Sequence, residues 1–159
     1  ALRMTEDTND RPIQGFALTR LGYARLALGL VEEAVDTFEQ AVALRTDFGS
    51  PNMLMESLAG LASALLAHQQ PQAALTHVQV ILNHLDQHGL DGTEAPVRIY
   101  QVCYQVLLAN QDERARDVLH RGYVLLQDRA NQIYDERMRR MYLENVVSHR
   151  EVIRRWMNP

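Results

Sequence analysis

Three features of the sequence predict an all-α fold built from repeated antiparallel helix pairs. Apolar residues recur at intervals of three, four and seven almost throughout, the period of helices with one buried face. The five prolines and eight glycines are set at intervals and not clustered, and few runs alternate as strands do, which argues against a β-sandwich or a Gly-rich phosphate loop. Laid over one another, the helix pairs also coincide, with offsets of 40 and then 41 residues; such self-similarity is the signature of stacked repeats.

The spacing predicts helices over about 12–28, 31–46, 51–68, 71–87, 94–109 and 112–133, followed by about 136–145 and 149–157. Ser50-Pro51 reads as a cap followed by proline at the first helical position, and Gln70-Pro71 repeats the proline start. Thr93, ahead of Glu94 and Pro96, opens the fifth helix. Gly49, Gly89 and Gly92 punctuate the gaps before these starts, where a left-handed residue is cheap for glycine. Ser148 with Glu151 three residues on reads as a capping box, so a fresh helix is expected after Asn145-Val146-Val147 rather than one continuous rod.

The repeat is carried by matching positions. Leu18, Leu21 and Gly22 are followed by Ala34, Phe38 and Ala41; Leu58, Leu61 and Ala62 by Ala74, Val78 and Ile81; Ile99, Val102 and Cys103 by Ala115, Leu119 and Gly122. Small residues are expected where two helices cross, because they let the axes approach to about 8 Å while large neighbours interlock around them. Leu21, Ala34, Phe38, Ala62, Ala74, Cys103, Ala115 and Leu119 are therefore expected to be buried at crossings. One domain over 1–159 is expected, with units at about 14–46, 51–88 and 94–130 and a capping segment over about 134–157, since a lone pair cannot bury its apolar face.

The first unit, LTRLGYARLALGLVEEAVDTFEQAVAL, resembles the tetratricopeptide repeat family: Leu21-Gly22, Gly29, Ala34, Phe38 and Ala41 follow in the family's order. The resemblance covers about residues 16–127. Arg25 stands where the family usually has tyrosine, no proline follows Leu44, and the 40-residue offset exceeds the family's 34. These departures resemble the longer-helix variants found as C-terminal superhelical arms of large bacterial regulators linked to ATPases or cyclases, as does the tail MYLENVVSHREVIRRW. The resemblance implies a right-handed superhelix whose concave side is lined by the first helix of each pair. On that side it places Phe16, Thr19, Tyr23 and Leu26, then Glu56, Ala59, Ser63 and Leu66, then Val97, Tyr100, Tyr104 and Leu107. Of these, Phe16, Tyr23, Leu26, Ser63, Leu66, Tyr100, Tyr104 and Leu107 are the expected partner-binding residues, with the tyrosines exposed. Alternatively, these residues are core, or stack against other parts of a parent chain. The Lys, Asn and Arg set that similar domains use to clamp an acidic peptide carboxylate is missing.

Composition narrows the remaining classes. The 159 residues are 47% apolar and 23% charged, with a net charge of -4, as in a soluble domain of ordinary size. No apolar run reaches the ~18 residues of a membrane span, the N-terminus is too polar for a signal peptide, and a lone Cys103 fits a cytoplasmic protein. The chain has no lysine, a bias typical of high-GC bacterial genes. Starting close to a repeat and ending on Trp156-Met157-Asn158-Pro159, it also reads as a fragment of a longer protein.

No catalytic constellation stands out, so an enzyme is not expected and no cofactor is implied. Cys103 occupies a small core slot; Ser50, Ser57 and Ser63 lack the strand-turn-helix setting of a hydrolase nucleophile; Glu32, Glu33 and Asp36 suit a helix N-terminus electrostatically. His77, His84 and His88 fall within about 40° of one another on a helix, with Asp86 and Asp91 nearby. That spacing would allow zinc or nickel ligation, but no metal is expected, a solvated outer face near a helix C-terminus being the expected reading. Residues 114–159 carry ten Arg against six acids, with Arg137, Arg139, Arg140, Arg150, Arg154 and Arg155 flanking Tyr142 and Trp156. Arginine beside aromatics can read nucleic acid, but the charge is modest, and a basic cap pairing with acidic neighbours or with another domain is the expected reading. The function expected is a non-catalytic interaction or sensing module for a protein segment or other domains of its parent, in signalling or transcription regulation. The alternatives are a small-ligand sensor arm and a self-association module that forms a homodimer.

Overall fold

The computed structural model describes residues 11–48 and 51–158. Within them the chain forms eight helices and no strand: α1 (Arg11–Ala27), α2 (Val31–Phe48), α3 (Pro51–Ala67), α4 (Pro71–His88), α5 (Pro96–Ala109), α6 (Ala115–Asn131), α7 (Glu136–Asn145) and α8 (Val147–Met157). The expected cap at Ser50 and turn at Gly49 lie outside the described residues. Proline starts α3, α4 and α5, where its missing N–H costs nothing.

Helices pair as three successive units, α1–α2, α3–α4 and α5–α6. Within the first, Gly15 meets Arg45, Gly22 meets Phe38, and Arg25 reaches Thr37 and the Glu33 carbonyl, so the two helices run antiparallel. The turn inside each unit is the same. Gly29, Gln69 and Gln111 all take a left-handed conformation (φ 78°, 61° and 56°), and the N–H of the next residue in each closes on the carbonyl five residues back at 2.9 Å, Leu30 to Arg25, Gln70 to Leu65 and Asp112 to Leu107. That bond is the Schellman closure of a helix C-terminus. Two glutamines accept the left-handed cost of about 1–2 kcal/mol each because the repeat geometry requires it.

The units stack with first helices beside first helices. Thr19 and Ser57 share a hydrogen bond of 2.8 Å between α1 and α3, and Arg121 donates to Asp86 at 3.0 Å between the second helices α6 and α4. Phe38 drives the first junction: its fully buried ring lies between Gly22 of α1 and Gly60 of α3. A Cβ at Gly22 would come within 2.8 Å of that ring, and one at Gly60 would collide with it. The expected crossing residues Ala34, Phe38, Ala62, Ala74, Cys103, Ala115 and Leu119 are all buried. Leu21 is not. It is 43% exposed, because no helix pair precedes α1 among the described residues.

The C-terminal helices close the third unit. α8 lies across α5 and α6, burying Val152 with Val97, Leu119 and Leu126, and Trp156 stacks on His120 and Tyr123 at 4.8 and 5.6 Å between centroids. α7 buries none of its residues and is started by Asp135, whose carboxylate accepts from the Met138 N–H at 2.8 Å. Three starts differ from expectation. α8 begins at Val147, so Ser148 lies buried inside the helix and caps nothing, while Glu151 binds Arg154 and Arg155 at 2.8 Å. α6 begins at Ala115, because Asp112 accepts from the Arg114 N–H and guanidinium and holds residues 112–114 as a turn. α5 begins at Pro96, and Thr93 bonds back to Leu90 instead of capping it.

Replacing Gly60 by Ala should overpack the Phe38 junction and cost about 1–3 kcal/mol, whereas adding Phe38→Leu to that variant should recover part of the loss. Urea denaturation of the two variants checks this; equal midpoints for wild type and Gly60→Ala would show that the junction is loose.

Candidate functional site

The side formed by α1, α3 and α5 carries a polar network under an open hollow. Its deepest member is Arg45 of α2, 2% exposed, which donates to the Met53 carbonyl and lies 3.8 Å from a Glu56 oxygen. Burial makes charging Arg45 harder and lowers its pKa, and Glu56 opposes that shift. The other Glu56 oxygen accepts the backbone N–H groups of Glu94 and of Ala95, the latter at 3.1 Å. Ala95 is the N-cap residue of α5 and offers no side-chain cap of its own, so a carboxylate from α3 satisfies the donors that a helix start leaves open and sits at its positive end.

Above this layer, side chains of α1 and α5 meet over α3. Arg20 pairs with Glu94 and lies 5.1 Å over the Phe16 ring. Arg98 lies 4.6 Å over the ring of Tyr23, whose other contact is an edge-to-face packing on Phe38 at 5.0 Å. About 10 Å³ remains between these groups, at the lower limit for one water. Next to this filled niche the hollow opens to about 390 Å³, lined by Tyr23, Leu26, Ser63, Arg98, Gln101 and Gln105 and walled by Val146 and Val147 of the α7–α8 bend. It offers apolar contact, amides and one guanidinium held over an aromatic face, a mixture that suits a peptide segment.

The structure brings together four of the eight residues expected to bind a partner, Phe16, Tyr23, Leu26 and Ser63. Leu66 is half-buried against the main core. The three on α5 are placed elsewhere, contrary to the expected concave lining. Tyr100 packs on Gly122 of α6, with Arg121 5.8 Å over its ring; Tyr104 faces Ala115, Leu119 and Trp156; Leu107 is fully buried. None of the three tyrosines is openly exposed, and Thr19, Glu56, Ala59 and Val97 from the same expected face are buried. Ala59 and Leu107 belong to the main core, whereas α8 packs on α5 and turns its Val97 and Tyr104 side into a second core. The side of α5 left facing the hollow carries Arg98, Gln101 and Gln105, and Glu94 ahead of the helix continues it. Their spacing of four, three and four residues is a polar stripe on an otherwise apolar helix, a signal present in the sequence.

Other candidates have plain surroundings. Cys103 is fully buried and its thiol is pushed up to about 12 by burial. His84 and His88 sit 5.0 Å apart between ring centroids, and His84 Nε2 lies 2.5 Å from Asn52 Oδ1; burial first, then His88, lowers the His84 pKa. His77 is half-buried, with Glu39 nearby opposing the burial that lowers its pKa. No group of three His, Cys, Asp or Glu able to hold a metal ion occurs among the described residues. In the Arg-rich tail, Arg139 donates to the Ile133 carbonyl, and Arg154 and Arg155 bind Glu151. Tyr142 packs on His149, whose Nδ1 contacts the Tyr142 carbonyl at 2.7 Å. No helix among the described residues is long and apolar enough to cross a membrane.

Compared with models of protein families, with curated proteins and with solved structures, the chain matches none.

Burial raises the Tyr23 hydroxyl to about 12, with Arg98 opposing the shift. The unfolded chain releases that proton near pH 10 and the Cys103 proton near pH 8.5. Groups whose pKa is raised in the folded state stabilise it fully below their unfolded values, and the contribution is lost as pH climbs through the folded ones. Stability should therefore fall from about pH 9 towards 12, more shallowly in Tyr23→Phe and most shallowly in Tyr23→Phe with Cys103→Ala. Urea midpoints across pH 8–12 check this; parallel profiles for the three proteins would contradict it.

Proposed function

We propose that this protein is a non-catalytic interaction module that receives a protein segment in the hollow between α1, α3, α5 and the α7–α8 bend. The observation that carries the reading is the hollow itself. It joins an apolar floor at Tyr23 and Leu26 to Ser63, Arg98, Gln101 and Gln105, side chains able to pair with a peptide backbone or an acidic group. Arg98 is held against the Tyr23 ring, and Tyr23 against Phe38, so two anchors are already ordered before a partner arrives, and ordering them is a cost that binding then avoids. Beneath them Glu56 and Arg45 hold α3, α5 and α2 together, giving the hollow a rigid base.

The helical-repeat stacking agrees with the tetratricopeptide-like pattern of the first unit, and that resemblance supports the finer reading: a superhelical arm of a larger bacterial signalling or transcription-regulatory protein, working in the cytoplasm on a partner segment or on other domains of its parent. The reading assigns the chain no chemistry of its own.

A random twelve-residue peptide library displayed on phage supplies the probe. Selection on the wild-type protein should enrich related peptides, and the best of them should bind at least about tenfold more weakly to Arg98→Ala with Gln105→Ala, a loss of about 1.4 kcal/mol. Binding to His84→Ala, which alters a separate crevice beside Asn52 and His88, should be unchanged. A selected peptide indifferent to the Arg98 and Gln105 changes would place binding elsewhere.

A further inference from the structure

One face of α1 is built like an interface and has no partner among the described residues. Ile13, Ala17, Leu21 and Ala24 of the helix and Leu28, in the turn just past its end with its N–H still on the Ala24 carbonyl, follow one another at four, four, three and four residues. At about 100° per residue they fall within about 80° of the helix circumference. Ile13, Leu21 and Leu28 are 65%, 43% and 76% exposed, and both alanines are exposed. The repeat shows what this stripe is for. The positions equivalent to Leu21 in the next two units, Leu61 and Val102, are each 3% exposed, because a preceding unit covers them. The stripe also points away from Thr19, which faces α3, by about 160° around the helix, so no part of the following units reaches it.

We propose that this face pairs with the same face of a second copy of the chain, the two α1 helices lying antiparallel about a two-fold axis. The pattern is its own complement. Read in either direction it runs large, small, large, small, large, so that Ile13 meets the second copy's Leu28, Ala17 meets Ala24, and Leu21 lies at the axis beside its counterpart. Two alanines per helix let the axes close to about 8 Å, and a face that complements itself is what a two-fold dimer needs. No charge lies inside the stripe. The cations that flank it are held within their own chain, Arg20 by Glu94 and Arg25 by Thr37 and the Glu33 carbonyl, so the approach of two copies sets no free charge against another. A single helix face buries less than the ~1,200 Å² of a standard stable interface, which makes the expected dimer weak and dependent on concentration.

Sedimentation equilibrium of the wild type at about 5 µM and about 200 µM, a span of ~2 kcal/mol in affinity, should show the mass rising from 18.2 kDa towards twice that value. Leu21→Glu and Leu28→Glu, at exposed positions, should keep the wild-type circular dichroism and stay monomeric at both. Under oxidation Leu21→Cys should form a covalent dimer readily, whereas Ala17→Cys should not, its two copies being about 10 Å apart along the axis. A wild type monomeric at about 200 µM overturns the proposal and leaves the stripe to a different partner, to the chain's own residues before Arg11, or to none. A dimer that survives both glutamate variants overturns it in favour of another face.

Discussion

A buried carboxylate holds the three units in register. Glu56 is 8% exposed, and taking an ionised carboxylate out of water costs several kcal/mol unless its oxygens are satisfied. Here they are divided between two elements: one faces Arg45 of α2, the other takes two N–H groups at the start of α5. Neither partner is adjacent in sequence, so the residue ties a helix of the first unit and a helix of the third to the central helix α3. Arg45 needs this pairing as well, since its Nε and Nη2 are buried without a hydrogen-bond partner. Removing either member would leave a charge in a poor medium, whereas removing both would leave only apolar stems, the pattern expected of buried ion pairs.

The site follows from that register. With the two residues just ahead of α5 held against α3, Arg98 falls in the first turn of the helix, over Tyr23 of α1, and Arg20 and Glu94 close the niche beside it. The Phe38 wedge sets the matching distance between α1 and α3, because only glycines at positions 22 and 60 admit its ring. At the far end, α8 decides which side of α5 stays open. Its packing withdraws Tyr104 and Val97 into a second core and leaves the arginine and glutamine side facing the hollow. α7 contributes no buried residue and is the element least anchored to the array, the kind expected to open first.

Much of this was legible in the chain. Periodicity and proline starts place all eight helices within a few residues, and the small-residue register finds Ala34, Ala62, Ala74, Cys103 and Ala115 at crossings, since burial follows directly from local pattern. What stayed hidden depends on distant partners. Ser148 and Glu151 have the letters of a capping box, yet the bend at Val146 starts the helix earlier and Arg154 and Arg155 take the glutamate. Thr93 looks like a cap, but the open donors of α5 are met by Glu56, 38 and 39 residues away. Carrying the first unit's register forward puts Tyr100, Tyr104 and Leu107 on the concave side. In unit three α8 draws Tyr104 against a second core, while Tyr100 packs on Gly122 of α6 and Leu107 lies in the main core, none of which a local pattern in α5 announces. Leu21 fails for the converse reason, having nothing before it.

Amide hydrogen exchange at the start of α5 tests the role of Glu56 most directly. In the wild type the N–H groups of Glu94 and Ala95 should exchange slowly for residues at a helix start, because a buried carboxylate holds both. In a variant carrying Arg45→Met and Glu56→Met, which removes both buried charges and should stay folded by circular dichroism, these two amides should exchange at least about tenfold faster, a change of ~1.4 kcal/mol in opening, while those inside α6 keep their rates. Unchanged protection of Glu94 and Ala95 in the folded variant would contradict the account, since α5 would then hold its place without the carboxylate.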